Sequence, residues 1–246
     1  MKHQAEPEGG VSKKYFRFGS YMVPHPSKRE KGGEDAYVAA HDLMVVADGV
    51  GGWARSGIDP GLFSKQLVAD FFAGFASNNA QDMKELLATS VENNKNIGTC
   101  TFCAARFDTT RDNYLKTINL GDSGYLLVRP NPETNQLDTL FRTKEQQKGF
   151  NFPVQCGTNG DHASTADSFE HEIQDDDILI MASDGVLDNM FDNDLKDCVL
   201  PQMDGVKFKD PQETAYCIAL KSFELGSDPK YNSPFAIGAQ KAGRQF

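Results

Sequence analysis

Four acidic sites in this chain stand beside glycine, and the chemistry they could share is all-oxygen. They are Glu34 and Asp35 in GGED, Asp48 in ADG, Asp122 in LGDSG and Asp184 in ASDG. A neighbouring glycine lets the backbone turn sharply and leaves room for an ion or ligand. Any one Asp-Gly pair reads as a turn. Four such acidic sites at the ends or flanks of strand-like runs read as one site. Clustered carboxylates repel, so they share protons or bind cations. With no His or Cys in these motifs, the ions that suit them are hard ones, Mg2+ or Mn2+, with several waters retained. Two such ions about 3.5–4 Å apart lower the pKa of a shared water and neutralise a phosphate.

Other constellations fail. GVGGWARSG is glycine-rich but is neither a dinucleotide fingerprint nor a Walker loop. No G-x-S-x-G elbow occurs. The five histidines are scattered and read as surface or strand residues. Trp53 reads as a packing residue or as part of the site entrance. Cys100 and Cys103 lie three apart in a strand-like run, so they face opposite ways and do not share a zinc. Five irregularly spaced cysteines do not form a disulfide framework and read as core thiols in a reducing compartment.

The acids need elements to position them. Strands are expected at 14–23, 35–41 and 43–48, the last two as a hairpin. Leu62, Phe63, Leu67, Val68, Phe71, Phe72 and Phe75 recur at helical steps, so 60–76 reads as an amphipathic helix with Pro60 near its start. A second helix is expected within 79–94. Strands return at 98–108, 114–122, 124–130, 137–143, 168–174 and 176–184, with a loop over 146–167. Helices follow at 192–199 and 211–224, and 231–246 reads as a loop. Strands, helices, strands, helices is the order of an α+β fold with antiparallel sheets.

The chain has 246 residues, 39% hydrophobic and 24% charged, which suits one globular domain. A net charge of −10 without a long basic run argues against a nucleic-acid groove. No apolar run approaches the roughly 20 residues needed to span a bilayer. Residues 1–14 read as a flexible segment and 15–246 as the domain. The first residues, with Glu6 and Glu8, show neither a secretory h-region nor a transit-peptide composition.

The stretches GEDAY, VADGVGGW, GTCTFCAARFD, NLGDSGYLLVR, FNFPVQ and ASDGVLDNM occur in this order. Together they resemble the metal-dependent protein phosphatase 2C family. VADGVGGW, FNFPVQ and SDGVLDNM resemble its PTC-seven-like branch, known from mitochondria and plastids. The resemblance implies a four-layer α-β-β-α sandwich of two antiparallel sheets flanked by helices. It implies hydrolysis of phosphoserine and phosphothreonine on phosphoprotein substrates with two Mn2+ or Mg2+ ions. Asp48 would bridge both ions, Gly49 would offer its carbonyl, and Glu34 and Asp35 would hold ion-bound water. Asp184 would bind the first ion, and Asp122 with Asp184 a weak third. Asp48, Asp184 and Asp35 would be the catalytic set. An intracellular monomer is expected, mitochondrial by resemblance alone.

The sequence departs from the family in places. Val50 stands where many members have a histidine thought to protonate the leaving group, so that role is unassigned. Gly124 replaces the arginine of G-D-S-R. An upstream arginine usually clamps the phosphate; Arg29 is the candidate, with Lys28 and Lys31 as rivals. The G-G-K-x-D-D-I-T segment, with a further aspartate and a last strand, is expected just where the sequence stops. Its lack favours a second reading, an inactive module that binds phosphoproteins.

Overall fold

The computed structural model describes residues 14–244. The flexible segment expected over 1–14 therefore lies, apart from Lys14, outside the described residues. Two strands open the domain, β1 (Asp35–Ala39) and β2 (Leu43–Asp48). Two helices follow, α1 (Pro60–Ser77) and α2 (Met83–Asn93). Then come β3 (Thr99–Cys100), β4 (Phe102–Phe107), β5 (Tyr114–Leu120), β6 (Gly124–Asn131) and β7 (Gln136–Arg142). The expected long loop holds three short pieces, β8 (Gln147–Gly149), β9 (Phe152–Pro153) and β10 (Cys156–Gly157). After it stand β11 (Asp167–Glu172), β12 (Ile178–Ala182), α3 (Asp184–Leu187) and α4 (Asp192–Val199). The hairpin β13 (Met203–Asp204) and β14 (Lys207–Phe208), α5 (Pro211–Ser227) and α6 (Pro234–Lys241) complete the order.

One sheet runs β1-β2-β4-β5-β11 and the other β12-β6-β7, with antiparallel pairing throughout. Three apolar clusters make the four expected layers. Leu43, Val45 and Ala47 of β2 pack with Phe63, Leu67, Phe71 and Leu87 of the first helix pair. Cys103, Ala105, Leu115, Tyr125 and Leu127 fill the space between the sheets. Leu126, Val128, Ile178 and Ile180 pack with Leu195, Val199 and Ile218 of the second helix layer. Cys100 and Cys103 fall in different clusters, as opposite faces require.

Helix α1 starts where Asp59 accepts a hydrogen bond from Gly61 N–H and Pro60 takes the first position. Its buried stripe is Phe63, Leu67, Val68, Phe71 and Phe75, while Leu62 and Phe72 turn outward. That is narrower than the apolar spacing suggests.

Three expectations are corrected. Residues 14–23 form no strand. Side chains hold this extended stretch instead: the Arg17 guanidinium donates to Phe208 O and Lys209 O, and Gln212 exchanges hydrogen bonds with the Ser20 backbone. The segment 231–246, read as a loop, contains α6. Ser233 caps it by accepting from Ala236 N–H, Pro234 opens it, and Phe235 packs on Phe150. Cys198 and Cys217 are not thiols but a disulfide, because α4 and α5 face each other with the two Cα atoms 5.7 Å apart. Cys100, Cys103 and Cys156 are free and buried.

Among the described residues, β12 pairs with β6 only, and its other edge has no strand beside it. A cavity of about 1070 Å3 runs along that edge. Residues 14–26, β1, the end of β2, β12 and α5 line it.

Candidate active site

Sheet register brings the acids together. In the β1–β2 hairpin Asp35 stands directly opposite Asp48. Buried Leu43, Val45 and Ala47 alternate with Met44, Val46 and Asp48, so Asp48 points away from α1. In the second sheet Ala182 stands opposite Gly124. That places Asp184, just past β12, beside the β5–β6 turn that carries Asp122. The two sheet corners meet: Asp48 stands beside the Asp35 and Asp184 carboxyls.

Backbone contacts fix this corner. Gly49 N–H donates to Glu34 O at 3.1 Å, and Thr101 N–H to Asp48 O at 2.9 Å. Asp48 N–H in turn donates to the Thr101 hydroxyl, which is 2.7 Å from that of Ser123, the residue after Asp122. A Cβ at Gly49 would sit 2.8 Å from Pro60 O and 2.9 Å from Glu34 O, so only glycine fits. Trp53 is held by donating to Thr99 Oγ1 at 2.8 Å, and Thr99 donates to Gln155.

The electrostatics record carboxyls crowded together in a buried place. Burial first, then Asp184, push Asp35 up to about 6. The same causes, joined by Asp35 and Asp122, raise Asp48 well above the carboxylate range. Burial and Asp184 lift Asp122 to about 7, and burial, Asp184, Glu145 and Asp122 lift Asp188 to about 8. Burial also raises Glu145, against the pull of Arg142. Paired like charges in low dielectric are costly unless protonated or neutralised by cations. Among the described residues no three acidic, His or Cys side chains already stand in ligand geometry. The donor set nevertheless fits hard divalent ions: oxygen-only, converging from two sheets and short of positive charge.

The basic residues separate by the pitch of one short helix. Residues Pro26–Lys31 form a 3-10 turn, in which positions three apart share a side. Lys28 Nζ bonds the Glu34 carboxylate, and Lys31 Nζ lies 3.9 Å from Asp59. Arg29 points elsewhere, its guanidinium 5.9 Å over the Phe223 ring. The structure thus joins Glu34, Asp35, Asp48, Asp122 and Asp184 in one corner and leaves Arg29 on α5. Asp188 and Glu145 also belong to the acidic group, and sequence reasoning missed both. Asp188 follows Asp184 by four residues, one helical turn, which was a readable signal; Glu145 carried none.

No family model matches the chain. Curated proteins do. It is 34% identical over 227 residues to the protein phosphatase PTC7 homolog of Xenopus laevis, covering 83% of this chain and 73% of that protein. It is 32% identical over 236 residues to probable protein phosphatase 2C 26 of Arabidopsis thaliana, covering 92% and 73%. The chain belongs to the protein phosphatase 2C family. Probable protein phosphatase 2C 80 of Arabidopsis thaliana is 33% identical over 99% of this chain, which spans 58% of that protein. The chain spans about half the length of several of these phosphatase 2C relatives, 48% of another from Arabidopsis thaliana. The X-ray structure of the photosystem II phosphatase PBCP superposes with a TM-score of 0.82 at 28% identity, over 92% of this chain and 86% of that one. The catalytic domain of PstP, solved with two manganese ions, shares the phosphatase 2C fold, with a TM-score of 0.56 at 18% identity over 87% and 92%.

Proposed function

We propose that this chain is a metal-dependent protein serine/threonine phosphatase. The observation that carries the reading is the convergence of Asp35, Asp48 and Asp184 on one corner where acids outnumber the single nearby cation, Lys28. Glu34, Asp35, Asp48, Asp184 and the Gly49 carbonyl would hold two Mn2+ or Mg2+ ions, with Asp122 and Asp184 at a weaker third. Bound there, such ions supply a water of lowered pKa and neutralise the phosphate.

The protein's own residues then have distinct tasks. Asp48, between the Asp35 and Asp184 carboxyls, would be the ligand best placed to hold the ions. Asp35, opposite Asp48 in the hairpin, would hold ion-bound water. Lys28, on the Glu34 carboxylate and lining the same cavity, takes the phosphate oxygens in place of Arg29. A phosphoserine or phosphothreonine on a protein surface is the substrate class. The monomeric state and a mitochondrial or plastid compartment rest on resemblance to the branch alone. Gel filtration and a tagged full-length protein test them.

Turnover of p-nitrophenyl phosphate with and without Mn2+ tests the activity. Metal-dependent turnover is expected, and Asp48→Ala loses it by at least about a thousandfold. Equal turnover in the variant refutes the assignment. A wild-type chain silent at saturating Mn2+ favours the inactive phosphoprotein-binding module.

A further inference from the structure

We infer that Ser222 of α5 is a positioning residue for Asp184, acting through the Gly185 carbonyl. Ser222 is buried, and its hydroxyl donates to Gly185 O at 2.6 Å. Asn189 Nδ2 donates to the same oxygen at 2.8 Å. Helix α3 is only four residues long, and Asn189 N–H turns to Val186 O instead. Two side chains therefore satisfy the carbonyl that a longer helix would have used. This carbonyl belongs to the Gly185–Val186 peptide, the second after Asp184, and Asp184 O itself accepts from Asp188 N–H at 2.8 Å, so the brace fixes the turn from which the Asp184 side chain leaves the backbone.

The arrangement depends on one face of α5. Ser222 and Gly226 are four residues apart and lie one above the other. A Cβ on Gly226 would sit 2.9–3.0 Å from the Nδ2, Cγ and Oδ1 of Asn189. Glycine at 226 therefore lets Asn189 enter beneath the helix, and serine at 222 meets the same carbonyl from above. The Cys198–Cys217 disulfide ties α5 to α4 five residues before Ser222, which anchors the brace. The Ser222 hydroxyl bonds Gly185 O and, among the described residues, no acid of the corner, so its effect reaches Asp184 through the turn.

This inference rests on the reading of Asp184 as an ion ligand, and two measurements separate them. The first is Mn2+ binding without substrate, read as free Mn2+ by electron paramagnetic resonance. Ser222→Ala is expected to weaken binding by about tenfold, the scale on which residues that orient ligands act. Gly226→Ala is expected to weaken it with Ser222 intact, and Ser222→Thr, which keeps the donor, to restore it within about twofold. A merely structural role lowers the urea midpoint and leaves Mn2+ affinity alone; that result overturns the inference. The second is amide exchange of residues 183–190 in EDTA. Ser222→Ala is expected to speed it by about tenfold, the loss of one hydrogen bond. Unchanged protection overturns the brace even in a chain that takes up no Mn2+. Absent Mn2+ uptake by wild type with faster exchange in the variant overturns the ion reading and keeps the brace.

Discussion

The raised carboxyls make ion-free stability fall as pH rises, opposite to carboxylates held low by ion pairs and hydrogen bonds. Asp122 and Asp188 move from an ordinary 3.8 to about 7 and about 8. A carboxyl raised on folding keeps protons that the unfolded chain has lost. Its contribution is intact below about 3.8 and is lost as pH rises through the folded value. Between pH 6.5 and 8.5, Asp122 gives up about 1 kcal/mol and Asp188 about 2 kcal/mol, so the cluster loses about 3 kcal/mol. The window avoids groups of other sign or origin. Burial lowers His171, so its titration acts the other way, below its ordinary 6.5. Asp108 and Asp161 are held low by hydrogen bonds and ion pairs that oppose burial, and they act in acid. Buried Cys100 and Cys103 add to the loss only near and above their ordinary 9.0.

Urea unfolding in EDTA at the two pH values measures this. The acids interact, so the drop belongs to the cluster and not to either residue. The double variant Asp122→Asn with Asp188→Asn should flatten the profile. Saturating Mg2+ should remove the loss or reverse it, because an ion binds the deprotonated carboxylates and displaces their protons. Ion-free stability that stays level or climbs from pH 6.5 to 8.5 refutes the crowding of these acids in one buried corner.

Three further outcomes follow from contacts elsewhere. Lys28→Ala should raise KM for a phosphopeptide about tenfold, while Arg29→Ala stays within about twofold; steady-state kinetics of both decide which cation meets the phosphate. Opening the Cys198–Cys217 bridge, by dithiothreitol or Cys217→Ser, should cost about 3 kcal/mol for a closed loop of this length, read from urea midpoints. Arg129 grips the buried Asp177 carboxylate through two bonds of 2.7 Å, so Arg129→Ala should cost about 3 kcal/mol in the same assay.

What could be read from the sequence divides along the range of the physics. The β1–β2 hairpin and α1 were legible because alternation and helical spacing are local, and the structure places them within a few residues of expectation. The ladder expected over 14–23 was not, because a strand needs a partner edge, and here Arg17 and Gln212 hold the backbone by side-chain bonds instead. Helix α6 had a readable start in Ser233-Pro234, but Gly238 and a weak apolar stripe hid it. The disulfide was hidden altogether, since no spacing rule tells that α4 and α5 will face each other.

The site divides the same way. Asp35 and Asp48 declare themselves by glycine neighbours, and one hairpin register sets them opposite. Asp188 becomes visible only once 184–187 is known to be helical, and Glu145 only once β7 delivers it to the corner. The choice among Lys28, Arg29 and Lys31 turned on pitch. At three residues per turn Lys28 and Lys31 share a side toward acids and Arg29 is sent to Phe223; at the α-helical 3.6 the three would spread differently. A substitution that lengthens this turn into an α-helix should therefore move the phosphate-binding role as well as the backbone.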